Sequence, residues 1–395
     1  MSEEILIFGA GNIGRSFVGQ IFGRAGFTPV FVEVDKTVIS ALRQRKSYEV
    51  VQYHADGGED VLTIGPVGVV DGGDPTAVAA ALSRVRYAAT AVGAAVFPMI
   101  VPLLAAEAQR PERQDGTMPP LDVILAENIH NARDILLAAA PAAGVIPCSV
   151  GKMVPIVTAA QREQDILRVY SEAYNTLIVD REGWRNPIPP VPELYPVHPI
   201  TPWIDRKLYI HNMGHGVAAY LAGVPERQHV TMHEALQDEE IRHATVEAMQ
   251  LSAGALAEHY PGVFTLPQLH EHIDDLVTRF ASKALGDTVF RVGRDISRKL
   301  APGDRIMGPL RRVMEHRGDP TPLVRVYQAA LRFAATDEHG AQFPGDALLQ
   351  TRLQTASPEE RWAILAELSG FDPDDREDRE ILATISAAIP ASIGR

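Results

Sequence analysis

The sequence has one cysteine, Cys148, in 395 residues. A single cysteine excludes an intramolecular disulfide and a thiolate zinc cluster. No apolar run reaches the roughly 18 to 20 residues that a membrane-spanning helix needs. The start, MSEEILIFGAGNIGRS, enters a strand pattern by residue 5 and carries no signal-peptide pattern. The expectation is a cytoplasmic protein. Positive charge is also scarce, with 37 Lys and Arg against 50 Asp and Glu, for a formal net charge of −13. That balance argues against nucleic acid and anionic membranes as partners. An anionic small molecule would have to be met by a local basic patch. What remains, 46% hydrophobic and 22% charged, is ordinary for a globular enzyme of two or three domains.

The first half alternates short apolar runs with helix-like stretches. ILIFG (5–9), PVFVEV (29–34), YAATAV (87–92) and VILAEN (123–128) suit strands covered on both faces. NIGRSFVGQIFGRAG (12–26) and PTAVAAALSRV (75–85) read as helices between them. The alternation predicts a doubly wound α/β domain. ILRVYSEAYNTLIVD (166–180) adds one or two strands, expected to extend the same sheet. NPIPPVPELYPVHPITP (186–202) then brings seven prolines, through which no helix runs, and the junction is placed there. The expected division is an NAD-binding Rossmann domain over 1–190 and an all-helical domain over 191–395. Helical patterns follow near 203–223, 231–259, 267–284, 321–335, 345–354 and 358–369, the last opened by a capping box from Ser357 to Glu360.

Gly9, Gly11 and Gly14 form G-x-G-x-x-G after the first predicted strand and at the opening of a helix. The first permits a tight turn, the second lets the backbone approach a pyrophosphate, and the third permits close helix–sheet packing. Asn12 and Ile13 lie at the helix amino terminus, whose N–H groups and dipole favour phosphate. Glu33 ends the second predicted strand, where an acid accepts hydrogen bonds from ribose hydroxyls and repels a 2′-phosphate. The expected cofactor is therefore NAD. Asp35 is the rival acid, and for either residue a solvated loop position is the plain alternative.

Oxidising an alcohol with NAD needs a base for the hydroxyl proton and donors for the developing alkoxide. DRKLYIHNMGHGVAAYLAG (205–223) offers Lys207, His211, Asn212 and His215. On a regular helix Lys207, His211 and His215 share one face, with Asn212 to its side. Lys207 could be the base, Asn212 a donor and His215 a substrate contact. On spacing alone, an exposed lysine beside capping and core polar residues explains the stretch as well. His211 and His215 have a spacing that can bind metal, but no third ligand is evident and no metal is expected. His211 then reads as a supporting or solvent-facing residue. Asn128 closes VILAEN, either donating a second hydrogen bond to substrate or capping the helix that begins IHNARD. Arg291, Arg294, Arg298, Lys299 and Arg305 crowd RVGRDISRKLAPGDR (291–305), the first three at i, i+3, i+7. They would recognise phosphate or carboxylate, or simply form a charged surface helix.

Taken in order, FGAGNIGRSFVG, TAVG (90–93), AENI (126–129), RKLYIHNMGHGVAAYLAG (206–223) and RVGRDISRKLAPGDRIMGPL (291–310) resemble the polyol-specific long-chain dehydrogenases. Within them the likeness is greatest to the bacterial mannitol-1-phosphate 5-dehydrogenase branch. The family motif K-x4-N-x2-H stands as Lys207, Asn212 and His215. The resemblance covers nearly the whole chain. It implies a zinc-independent enzyme with an N-terminal Rossmann domain and a helical C-terminal domain. It also implies Lys207 as general base, Asn128 with Asn212 as the alkoxide-stabilising pair, and His215 as a substrate contact. The glycine loop begins at residue 9, as in the branch that uses sugar and polyol phosphates, and the 291–305 cluster would take the phosphate. Enzymes of free mannitol or of hexuronates, of the mannitol 2-dehydrogenase or tagaturonate and fructuronate reductase types, are the in-family alternative. A non-catalytic NAD-binding regulator is the alternative outside it. Two departures from the family pattern stand out. VGKMVP (150–155) has Gly151 and Lys152 where relatives carry an acid and an arginine. RFASK (279–283) has Ser282 and Lys283 in place of asparagine and proline.

Overall fold

The structure, a computed structural model, describes residues 2–54, 57–129, 131–155, 157–227 and 229–387. It divides into two compact units, Met1–Ile204 and Asp205–Arg395.

The first unit is built on β1 (Glu4–Phe8), β2 (Thr28–Glu33), β5 (Gly68–Asp71), β6 (Tyr87–Thr90), β7 (Asp122–Leu125) and β8 (Gly144–Val150). Among the described residues these form a parallel array in the order β5-β2-β1-β6-β7-β8. Strands buried on both faces explain the unbroken apolar runs. In β1, Ile5 and Ile7 enter one core, with Phe17, Phe31 and Ile124, while Leu6 and Phe8 enter the other, with Val78, Leu104 and Val123. All four are at most 1% exposed, each contributing about 1.5–3 kcal/mol by burial.

Two features depart from the sequence reading. The stretch 166–180 does not extend one sheet. Its first part, β9 (Val169–Glu172), joins the hairpin of β3 (Tyr48–Tyr53) and β4 (Glu59–Ile64) in a separate three-stranded sheet. Leu167 and Val169 there close the core over Phe17 and Tyr48. Its second part, β10 (Leu177–Asp180), pairs antiparallel with β8. The proline-rich segment is not all connector. Leu194–Val197 forms β11, an edge strand parallel to β10, a position that tolerates Pro196. Val197 and Ile200 pack with Ile178, so the segment belongs to the first unit.

The second unit is helical throughout its regular elements. The predicted helix over 231–259 is two, Met232–Gln237 and Glu239–His259, because Asp238 leaves helical geometry and caps the second through Glu240 and Ile241. The capping box of Ser357 and Glu360 opens the helix Pro358–Ser369. Helices Met307–Glu315 and Arg376–Ala387 were not anticipated. No helix among the described residues is long and apolar enough to cross a membrane.

Candidate active site

The glycine loop lies at the carboxyl end of β1, where strand order reverses between β1 and β6, the position at which open α/β sheets bind ligands. Gly9 has φ +93°, and a Cβ there would stand 2.5 Å from the Ala91 carbonyl oxygen. A Cβ on Gly14 would collide with the Gly9 carbonyl oxygen. The fold itself therefore requires both. Gly11 is different: it is exposed, and a Cβ there would meet nothing within 4 Å. Its lack of a side chain matters only to something that approaches from outside, as a dinucleotide pyrophosphate does. The helix begins at Asn12 and Ile13, both half-buried, and widens to a π-type turn over Gly14–Gly19.

Glu33 closes β2 with its carboxylate folded against this loop. It accepts from the backbone N–H of Ala10 at 3.0 Å, Val34 at 2.7 Å and Asp35 at 3.0 Å. Asp35 instead caps the helix Lys36–Arg45, accepting from Thr37 and Val38, and these bonds lower its pKa. The rival acid thus has a local structural task. Two residues that sequence reasoning passed over hold the crevice in shape. Buried Arg15 donates to the Ala10, Ile166 and Leu167 carbonyls at 2.6, 3.1 and 2.7 Å, and burial lowers its pKa to about 10. Glu127 accepts from the N–H of Val92 and Gly93, each at 2.8 Å, tying the loop after β6 to the end of β7. Asn128 follows it, exposed, three residues beyond Leu125. It is not the expected cap, since the helix starts at Ala132 with Asn131 at its N-cap. His130 of that segment lies outside the described residues.

In the second unit the 205–223 stretch is helical but not regular. An α-helix over Thr201–Arg206 passes into a π-type turn over Lys207–Asn212, then returns to α-helix over Met213–Ala222. The Ser252 hydroxyl donates to the Tyr209 carbonyl within the wide turn at 2.7 Å. The wide turn changes which residues share a face. At about 100° per residue, a regular helix puts Asn212 about 140° and His215 about 80° from Lys207. Absorbing one extra residue in a π turn moves them to about 40° and −20°. Lys207, Asn212 and His215 therefore form the stripe, and Asn212 takes the place expected for His211. Burial agrees: of residues 207–220, all described, these three alone are half-buried, and every other one is buried.

His215 stacks on Phe280 at 4.6 Å with 7° between the rings, and its Nε2 lies 3.4 Å from Oδ2 of buried Asp287. Burial outweighs that carboxylate and lowers the His215 pKa to about 4, so the ring is neutral at physiological pH. His211 is buried edge-on to Phe280 at 5.4 Å, with its pKa also lowered by burial. It supports the site from inside and does not face solvent. Asp287 and Phe280 left no signal in the sequence, since neither belongs to a local pattern with His215.

The basic cluster does not form one helical face. The helix Val289–Gly293 stops at Arg294, Asp295 turns left-handed at φ 67°, and a second short helix covers Ile296–Lys299. The cations diverge accordingly. Lys299 is buried and donates to the Val292 carbonyl at 2.6 Å and to that of Arg294, so it serves the backbone. Arg294 lies over the Phe290 ring, and Arg298, half exposed, pairs with Asp295. Arg291 and Arg305 differ from these. Like Lys299, both lie close enough to His215 to depress its pKa, and the Arg305 side chain passes 3.6 Å from where a Cβ of Gly216 would be. Each gives its Nε to a carboxylate, Asp287 at 2.5 Å and Asp304 at 2.9 Å, which leaves the outer N–H groups of the fork for a ligand.

The departures in VGKMVP and RFASK fall in unlike places. Lys152 is buried, donating to Asn175 at 2.6 Å beneath Phe17, within a group that includes Gln20 and Gln52. Lys283 is exposed, one turn past the end of the helix Leu266–Phe280.

Residues 3–191 match the family profile described as the mannitol dehydrogenase Rossmann domain, and residues 199–391 that of the mannitol dehydrogenase C-terminal domain. The chain is 31% identical over 334 residues to a mannitol-1-phosphate 5-dehydrogenase of an Exiguobacterium species, covering 82% of this chain and 84% of that one. Among solved structures, a substrate-free D-sorbitol dehydrogenase superposes with a TM-score of 0.77 at 18% identity, covering 99% of this chain and 95% of that one. Mannitol 2-dehydrogenase of Pseudomonas fluorescens, in a ternary complex with NAD and D-mannitol, gives 0.75 at 16% identity, covering 98% and 91%.

Proposed function

The chain belongs to the mannitol dehydrogenase family, and we propose that this NAD-dependent polyol dehydrogenase interconverts D-mannitol 1-phosphate and D-fructose 6-phosphate. The observation that carries the reading is the stripe of Lys207, Asn212 and His215, the half-buried polar groups of a stretch, 207–220, that is otherwise buried. The similarity to a relative named for the phosphorylated substrate, and two arginines beside His215, support the phosphate.

Bound NAD supplies the hydride chemistry that no side chain can perform. In oxidation Lys207 takes the proton of the reacting hydroxyl, and in reduction it returns it. The Asn212 and Asn128 amides donate to the oxygen as negative charge grows on it. Neutral His215, held flat by Phe280, orients the sugar. Arg291 and Arg305 receive the phosphate through their outer N–H groups. On the cofactor side, Gly11, Asn12 and Ile13 present backbone N–H groups to the pyrophosphate, while Gly9, whose N–H donates to the Val32 carbonyl at 2.9 Å, and Gly14 shape the loop. Glu33 accepts from the ribose hydroxyls. A carboxylate offers about four lone-pair sites, and the three backbone donors on Glu33 leave about one, so a second ribose hydroxyl would share an oxygen with, or displace, a backbone donor.

The test is NADH consumption with fructose 6-phosphate, fructose and tagaturonate as alternative substrates. Fructose 6-phosphate is expected to be reduced with the highest kcat/KM. Faster turnover of fructose or tagaturonate would move the enzyme to the non-phosphorylated branch. NADH binding without turnover of any sugar would remove the catalytic reading.

A further inference from the structure

Two helices of the second unit end side by side. Glu239–His259 finishes on His259, and Met307–Glu315 finishes on Glu315 with His316 as its C-cap. One ligand-competent atom from each of His259, Glu315 and His316 lies within 4.8 Å of the others. Both helix ends carry the negative pole of their dipoles, a setting that favours a cation.

The histidines are arranged unequally. His316 has Nδ1 3.3 Å from a Glu258 carboxylate oxygen, while its Nε2 is buried without a hydrogen-bond partner. A buried ring nitrogen left without a partner is costly, and the other nitrogen faces a carboxylate. That combination is the usual setting of a metal-bound imidazole, one nitrogen on a carboxylate and the other on the ion. The His259 ring meets that of His316 edge-to-face at 5.9 Å, and its Nδ1 is 3.9 Å from Oε2 of Glu315. Arg312 competes, donating to the same Oε2 at 2.8 Å. It engages one oxygen only, so Oε1 remains for an ion.

We propose that His259, Glu315 and His316 form a divalent transition-metal site, of zinc type, that staples the two helix ends together. Two imidazoles and a carboxylate suit Zn2+ and its neighbours, whereas Mg2+ and Ca2+ prefer all-oxygen shells. Tetrahedral Zn2+ with bonds of about 2.0–2.1 Å holds its ligands about 3.4 Å apart, so rotation of these partly exposed side chains closes the site. Glu258 supports it through His316, and water takes the fourth position. Tyr260, next to His259, donates to Asp205 at 2.5 Å, so the staple also braces the turn that leads to Lys207. The inference is independent of the proposed substrate.

The experiment titrates metal-free, untagged protein with Zn2+ by calorimetry, and with Co2+ followed by its visible d–d bands, using Mg2+ and Ca2+ as controls. One Zn2+ per chain is expected, with intense four-coordinate Co2+ bands and a rise in Tm on binding. His316→Ala should lose at least about 100-fold in affinity, and Glu258→Gln about 10-fold. Arg312→Gln should tighten binding by freeing Glu315. Circular dichroism confirms that each variant is folded. Absence of a saturable Zn2+ site in the wild type, or unchanged affinity in both His316→Ala and His259→Ala, overturns the proposal.

Discussion

Nε2 of His215 lies 3.4 Å from Oδ2 of Asp287, whose other oxygen accepts Nε of Arg291 at 2.5 Å. One buried carboxylate thus faces both the residue proposed to orient the sugar and an arginine proposed to bind its phosphate. Replacing it by a neutral isostere removes the charge that directs both. Asp287→Asn is expected to lower kcat/KM for fructose 6-phosphate on the order of 10- to 100-fold, with the fold intact by circular dichroism. A variant as active as wild type would remove Asp287 from the site.

Lys207→Ala should lower turnover on the order of 100-fold or more, the usual value of a positioned acid–base group. The glycine loop lies in the other unit, so NADH binding, read by fluorescence, should be nearly unchanged. Near-normal turnover would sink the assignment of the base.

Gly11→Ala and Gly14→Ala separate the cofactor from the fold. An added Cβ at 11 meets no protein atom within 4 Å, whereas at 14 it collides with the Gly9 carbonyl. Gly11→Ala should therefore change stability by no more than about 0.5 kcal/mol while weakening NADH binding. Gly14→Ala should lower Tm or fail to fold. A Gly11→Ala protein with wild-type NADH affinity would contradict close approach of the pyrophosphate at that residue.

Arg305→Ala and Arg298→Ala should part in the same way. A hydrogen bond to a charged group contributes about 1.5–3 kcal/mol, so losing Arg305 should raise KM for fructose 6-phosphate roughly 10-fold or more. Arg298 is half exposed and paired with its neighbour Asp295, and its loss should leave KM unchanged. Equal effects of the two would disprove a local phosphate contact.

Acid should destabilise the second unit. Burial lowers the pKa of His215 to about 4 and of His272 to about 3, and lowers that of His211 as well. In the unfolded chain each returns to about 6.5. Between those values the unfolded state binds more protons, so stability is full above about pH 6.5 and falls as the pH drops toward 4. Tm measured from pH 7.5 down to 5 should decline, and His211→Gln, which cannot titrate, should decline less steeply. Parallel curves for the two proteins would show that His211 takes no part.

Much of this protein was determined by local sequence. Residues 5–9 and 29–32 are apolar at every step because strands covered on both faces leave no polar side, and Gly9 and Gly14 mark where backbone meets backbone. Lys207, Asn212 and His215 were visible as residue types at a spacing. Their common face was not, because the regular helix that the spacing implies aligns His211 with Lys207 in place of Asn212. The alignment depends on a π turn, one of whose carbonyls is held by Ser252, 43 residues away. The basic run 291–305 failed as a helix for a similar reason. Gly293 has no side chain because Phe333 packs against it, and the chain turns at Asp295 to hand two backbone amides to Asp346. Sequence sets periodicity and chemistry, which are local. The winding of a helix at one residue and the partner of a buried charge follow from groups distant in the chain, and only the tertiary structure decides them.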